Sequence, residues 1–229
     1  MPENENRHTL GLFENALNAL RSNVFMMASL TERGINNALR GLAERDDDLC
    51  NIVIADDEEI DLLEIQIDRE GVDIMLRFQP VAEDLRHVVS SMKISVNLER
   101  IADQSVTIAR RARKLNQQPA VSELHFLDSM FVKAMSMYSD ALKAFADRDM
   151  NLAKTIKPRD KELDQINHDI TDRYTDCMQK NPGSVREYMN LIFIARAIER
   201  IGDHSTNIAE DAVYAITAED IRHPQTVSA

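Results

Sequence analysis

The feature that most narrows the fold of this 229-residue chain is an internal repeat. A pattern of charged and apolar residues returns 103 positions later, in the pairs Leu39/Leu142, Arg45/Arg148, Asp46/Asp149, Leu49/Leu152, Asp57/Asp160, Glu59/Glu162 and Asp61/Asp164. Beyond the breaks at Gln79-Pro80 and Asn181-Pro182-Gly183 the offset falls to 100, pairing Arg86/Arg186, Glu99/Glu199, Arg100/Arg200, Asp103/Asp203, Ser105/Ser205 and Ile108/Ile208. Any two amphipathic helices share an apolar period, so the apolar matches weigh little. The charged pairs are not demanded by that period, and they recur in order with one change of offset at a loop. A duplicated unit of supersecondary structure explains them.

Each unit reads as three helices. Phe13, Leu17, Leu20, Val24, Met27, Ile35, Leu39 and Leu42 fall at steps of three and four, which predicts a first helix from about Thr9 to Glu44. The turn Arg45-Asp46-Asp47-Asp48 offers carboxylate acceptors to the free amides of a second helix, which carries Leu49, Ile52, Ile60, Leu63 and Ile67. Pro80 ends it, and a third helix runs through Leu85, Val88, Met92, Ile101 and Ile108 to about Leu115. With Gln117-Gln118-Pro119 as linker, the chain divides into a first bundle over 1–116, a second over 120–218 and a tail over 219–229. Connections this short make successive helices antiparallel neighbours, so the expected fold is all-α, two tandem three-helix bundles. Six glycines, six prolines and no tryptophan agree with long helices rather than turn-rich sheet.

Charge and composition exclude several roles. A formal charge of −12 repels phosphate backbones and anionic head groups, so nucleic acid is not an expected partner and any membrane association would run through other proteins. The polar start MPENENRHTL does not read as a signal peptide, and the apolar run from Leu191 is cut by Arg196, far short of the roughly 20 residues a bilayer span needs. Cys50 and Cys177 stand apart without metal-ligand or disulfide spacing, which fits a reducing cytoplasm. No Gly-rich phosphate loop or nucleophile motif is present.

The residues that suggest chemistry are acidic. Glu99 and Asp103 are four apart and share a helical face, as do Glu199, Asp203 and Asn207. On the second helix of each unit Asp57/Asp61 and Asp160/Asp164 repeat the spacing, so four carboxylates per unit can converge. Oxygen ligands of this kind suit hard cations such as magnesium, manganese, calcium or iron. The competing reading ties these acids to Arg100 and Arg200, three residues before Asp103 and Asp203, as surface ion pairs of little energy. His87, His168 and His204 are single, and lone helical histidines are usually packing or surface residues. Arg86 and Arg186 more readily make packing or ion-pair contacts than a phosphate site.

Asp84-Leu85-Arg86 followed by Leu98-Glu99-Arg100-Ile101-Ala102-Asp103 resembles the PhoU family of regulators of bacterial phosphate uptake. The second half is closer: Ile198-Glu199-Arg200-Ile201-Gly202-Asp203-His204, then Asn207-Ile208-Ala209-Glu210-Asp211, Tyr214 and the tail Glu219-Asp220-Ile221-Arg222-His223. The first copy departs in having Ala102 where glycine is common and Thr107 where asparagine is common. The resemblance implies a cytoplasmic homodimer that binds metal (iron, manganese, magnesium, zinc or calcium) at Asp57, Asp61, Glu99, Asp103, Asp160, Asp164, Glu199 and Asp203. It implies a negative regulator of the phosphate-starvation response, an adaptor between the ATPase subunit of a phosphate ABC transporter and a sensor histidine kinase, with no enzymatic activity. The alternative the acids leave open is a metal-dependent hydrolase or oxidase.

Overall fold

The computed structural model describes residues 2–222, with side chains from Gly11 onward; His223 and the rest of the tail lie outside the described residues. The first bundle comprises α1 (Pro2–Ala43), α2 (Asp47–Phe78) and α3 (Ala82–Asn116). A 3-10 turn, Ser122–Leu127, leads into the second bundle: α4 (Asp128–Asp147), α5 (Met150–Lys154), α6 (Ile156–Lys180) and α7 (Val185–Thr217). No strand occurs among the described residues, and none of their helices is long and apolar enough to cross a membrane. The first helix starts earlier than the expected Thr9, because its opening turns are polar and leave no apolar period to read.

The duplication extends to the backbone. Arg45 and Arg148 both adopt left-handed conformations, with φ of 58° and 54°, closing α1 and α4 in the same way. The residue after each caps the next helix. Asp46 Oδ1 accepts from the amides of Asp48 and Leu49, and Asp149 Oδ1 from those of Asn151 and Leu152. Each such cap is worth about 1 kcal/mol.

The copies part company one turn later. The counterpart of α2 is broken into α5 and α6 at Thr155, and the cause is Pro158, which stands where the first copy has Ala55. Proline lacks the N–H of the helical ladder, and its ring collides with the carbonyl four residues back, that of Lys154. The released end is held locally, Thr155 donating from both its amide and Oγ1 to the Leu152 carbonyl.

The bundles lie side by side with α3 and α7 antiparallel at the junction. Arg86 near the start of α3 donates through Nε to the Ala215 carbonyl near the end of α7, and Arg111 near the end of α3 donates to Asn190 Oδ1 near the start of α7. The middle of each helix meets the middle of the other, where Asn97 Oδ1 takes His204 Nδ1 at 3.1 Å and Asn207 Nδ2 at 3.3 Å. Since α3 and α7 are repeat partners, this crossing relates the halves by an approximate two-fold axis. Across the junction, α1 and α4 also meet: Tyr138 donates to the Ala28 carbonyl, and Arg21 to that of Ala146. One continuous apolar core, with Leu98, Ile101 and Ile108 of α3 and Ile198, Ile201 and Ile208 of α7 buried, runs through both bundles.

Candidate metal centre and the cleft between the bundles

Helices α2 and α6 face α3 and α7, and this positions the acids named from the sequence. In the second half, Asp164 of α6 and Glu199 and Asp203 of α7 each bring a carboxylate oxygen within 4.8 Å of the others. Oxygens bound to one cation at 2.0–2.6 Å are separated by no more than about 5 Å, so this spacing fits a shared ion. Asp160 lies one turn before Asp164, its Oδ1 buried without a well-formed hydrogen bond, and the buried Thr206 hydroxyl beside it only partly offsets the rise in its pKa. Burial, with Asp203 and Asp164 close by, pushes Glu199 up to about 7. Burial, then Asp203 and Asp164, push Asp160 up to about 6, and Asp203 is raised by burial and Asp164 against the pull of Arg200. Unpartnered carboxylate oxygens raising one another's pKa fit a divalent or trivalent cation, whose charge would relieve both the repulsion and the lost hydration.

The close approach of α6 rests on Gly202. A Cβ there would stand 2.3 Å from Leu163 Cδ2 and 3.5 Å from Asp160 Oδ1, so any larger residue would have to displace the buried Leu163 side chain that α6 packs on this spot. The repeat partner in α3 is Ala102, itself buried.

The first half is assembled differently. Glu99 and Asp103 are tied to Arg100, at 3.4 and 3.7 Å, so the competing ion-pair reading holds here. It does not hold for the repeat partner Arg200, which closes no ion pair with Glu199 or Asp203. Burial and Asp103 push Glu99 up to about 6 despite Arg100, and Asp57 is raised by burial, Asp61 and Asp103. Glu99 Oε2 is buried and accepts no hydrogen bond, its Arg100 contact being an ion pair without hydrogen-bond geometry. The acids Asp57, Asp61, Glu99 and Asp103 share one neighbourhood, but among the described residues only the second-half trio meets at coordination spacing.

Sequence reasoning missed Glu64. It lies three residues after Asp61 on the same face of α2, is raised by burial and by Asp61, and adds its charge to Glu99. Its spacing was a readable signal, but its repeat partner is Asn167, so a search by doubled acids passes over it. Glu210 was also missed as a site residue; it is buried beside the second cluster and held by Lys157 Nζ at 2.8 Å. The same ammonium donates to the carbonyl of Ile221, anchoring the tail there.

The set-aside residues have structural roles. His87 stacks on Phe145 with centroids 5.3 Å apart and is lowered by burial. Arg86 caps a carbonyl of α7, and Cys50 and Cys177 are free thiols.

The model of the PhoU domain matches this chain twice, over residues 25–112 and 127–212. The chain belongs to the PhoU family. A relative in Pseudomonas putida, a phosphate-specific transport system accessory protein PhoU homolog, is 34% identical over 223 residues, 96% of this chain and 87% of its own length. The accessory protein PhoU of the phosphate-specific transport system in Escherichia coli K12 is 33% identical over 96% of this chain and 91% of its own length. Among solved structures, PhoU from Pseudomonas aeruginosa superposes with a TM-score of 0.87 at 33% identity, over 90% of this chain and all of that one. The phosphate transport system regulatory protein PhoU from Streptococcus pneumoniae gives 0.83 at 26% identity, over 92% of this chain and all of that one. The tandem PhoU architecture therefore spans both bundles, and the four-residue acidic spacing lies within each matched copy.

Proposed function

We propose that this chain is a cytoplasmic negative regulator of phosphate uptake and of the phosphate-starvation response. It acts as an adaptor between the ATPase subunit of a phosphate ABC transporter and a sensor histidine kinase, as a homodimer and without covalent chemistry of its own. The observation that carries the reading is the doubled PhoU domain over nearly the whole chain, shared with relatives named as accessory proteins of phosphate transport. The metal-dependent hydrolase or oxidase finds no support among those relatives. Deleting the gene in its host should switch on phosphate-starvation genes in phosphate-rich medium; a deletion strain with normal repression refutes the regulatory reading.

The acids belong to this proposal as its metal centre. Asp160, Asp164, Glu199 and Asp203 would hold a hard cation in the second bundle, with Asp57, Asp61, Glu99 and Asp103 as the weaker counterpart in the first. Bound metal would supply positive charge that fixes α6 against α7 and sets the shape presented to partners. Elemental analysis of purified protein, with and without Asp164→Asn and Asp203→Asn, tests this; an unchanged metal content removes the centre.

A further inference from the structure

The clefts on either side of the approximate two-fold axis are repeat partners that no longer match. Arg110 stands where the second cleft has Glu210, Arg196 where α3 has Val96, and Phe193 where α3 has Lys93. The first cleft, about 350 Å³, is therefore lined by three guanidinium groups, Arg110, Arg196 and Arg200, against the two carboxylates of Asp57 and Asp103. In the second cleft, which Arg200 also borders, the other two cations are engaged: Lys157 holds Glu210, and Arg100 turns to Glu99 and Asp103. Among the described residues none of Arg110, Arg196 and Arg200 donates a hydrogen bond or closes an ion pair. Their neighbour Arg111, by contrast, is held by Asn190 and lies 4.2 Å over the Phe193 ring. A local excess of cations without a hydrogen bond or ion pair stands out in a chain of net charge −12.

We propose that the first cleft binds a phosphoryl oxyanion between the two bundles. A guanidinium presents a rigid fork of donors that matches oxyanions bidentately and stays charged at all physiological pH. Three of them on one concavity outnumber the two oxygens of a carboxylate and suit a group with three or more acceptor oxygens and close to two negative charges, which a phosphoryl group supplies. The acids do not cancel the site. Asp103 is drawn to Arg100 on its other side, and Asp57 is a single charge facing Arg110. They make binding depend on donor geometry and on salt rather than on net charge alone. Because Arg110 comes from α3 and Arg196 and Arg200 from α7, the ligand would bridge the halves of the molecule. Arg200 borders both clefts, so the site adjoins the acidic trio of the second half, but the argument for it uses the arginines and does not rest on the metal reading.

Calorimetric titration of the metal-free full chain with inorganic phosphate, pyrophosphate and ATP at fixed ionic strength tests this, with citrate as a carboxylate control. The expected result is saturable one-to-one binding of at least one phosphoryl probe, weakened at least tenfold by Arg196→Gln and by Arg110→Glu, which copies the second cleft. The tightest probe identifies whether the source is free phosphate, a phosphoanhydride or a nucleotide. Arg186→Gln, at an exposed arginine elsewhere, should leave the titration unchanged. All three arginines of the cleft are exposed, so the variants should keep the parent's circular dichroism and melting curve. No saturable binding of any phosphoryl probe, binding unaltered in both cleft variants, or citrate binding as tightly overturns the proposal.

Discussion

The two acidic clusters descend from one sequence pattern, and two of the places where they differ bear directly on how each is built. In the second half Gly202 lets α6 approach until Asp164, Glu199 and Asp203 meet, and Arg200 leaves them unpaired. In the first half Ala102 adds a Cβ at the corresponding contact, and Arg100 folds back onto Glu99 and Asp103. The lesson is that a ligand set read from spacing specifies which oxygens share a face. How closely the opposing helix comes, and whether a neighbouring cation has already been spent on them, decides whether they can share an ion.

The sharpest way to break the comparison is to remove ligands from each side. Asp164→Asn with Asp203→Asn should lower metal affinity by more than the roughly 10–100-fold that loss of an outer-shell partner costs. Asp61→Asn with Asp103→Asn should lower it far less, both read by elemental analysis and calorimetry. Equal losses from the two pairs would erase the distinction. Next in size is Gly202→Ala, which should cost about 1–3 kcal/mol in denaturant unfolding as Leu163 is displaced, and weaken metal binding with it. The reverse change, Ala102→Gly, should cost only about 0.5–1 kcal/mol, the helical penalty of glycine.

Proton linkage gives a third test. Glu199 and Asp160 have folded-state values raised to about 7 and about 6. The folded protein therefore binds more protons than the unfolded chain between the ordinary carboxylate range and those values. The contribution of these two carboxyls to the stability of the metal-free protein should fall as pH rises from about 4 to 7 and flatten above, against an opposite slope from the buried His87 and His204; the difference between the parent and Glu199→Gln isolates it. Saturating manganese or magnesium should reverse the trend, adding about 2.7 kcal/mol at a hundredfold excess over Kd and releasing protons. Melting temperatures at pH 5 and 7.5, with and without metal, read this directly. The smallest effect is expected from Arg100→Ala, under about 1 kcal/mol in stability because the pair is surface-exposed, with a modest gain in first-half metal affinity.

Much of this architecture was legible in the sequence because its determinants are local. Asp46 and Asp149 announce the second helix of each unit by residue type, Pro80 marks a break, and four-residue spacing places the acids on one face. Pro158 was equally visible as the one helix breaker without a counterpart, yet a reading built on matched pairs overlooks what is unmatched; Glu64 escaped for the same reason. The crossing of α3 over α7 was not legible, since apolar period says which face is buried and not against what. For that reason Arg110, Arg196 and Arg200, drawn from two helices almost a hundred residues apart, could not be seen as neighbours before the fold was in hand.

The antiparallel embrace of α3 and α7 has the form of a contact between identical partners, the arrangement a symmetric dimer of single three-helix units would adopt. Joining two such units in one chain removes the demand that both sides of the contact be encoded by the same residues. A change tolerated once no longer has to be tolerated twice. A glycine can then stand in one helix where alanine stands in its repeat partner, and an arginine can occupy one cleft while glutamate occupies its twin. Covalent linkage leaves the two sides of that contact free to differ.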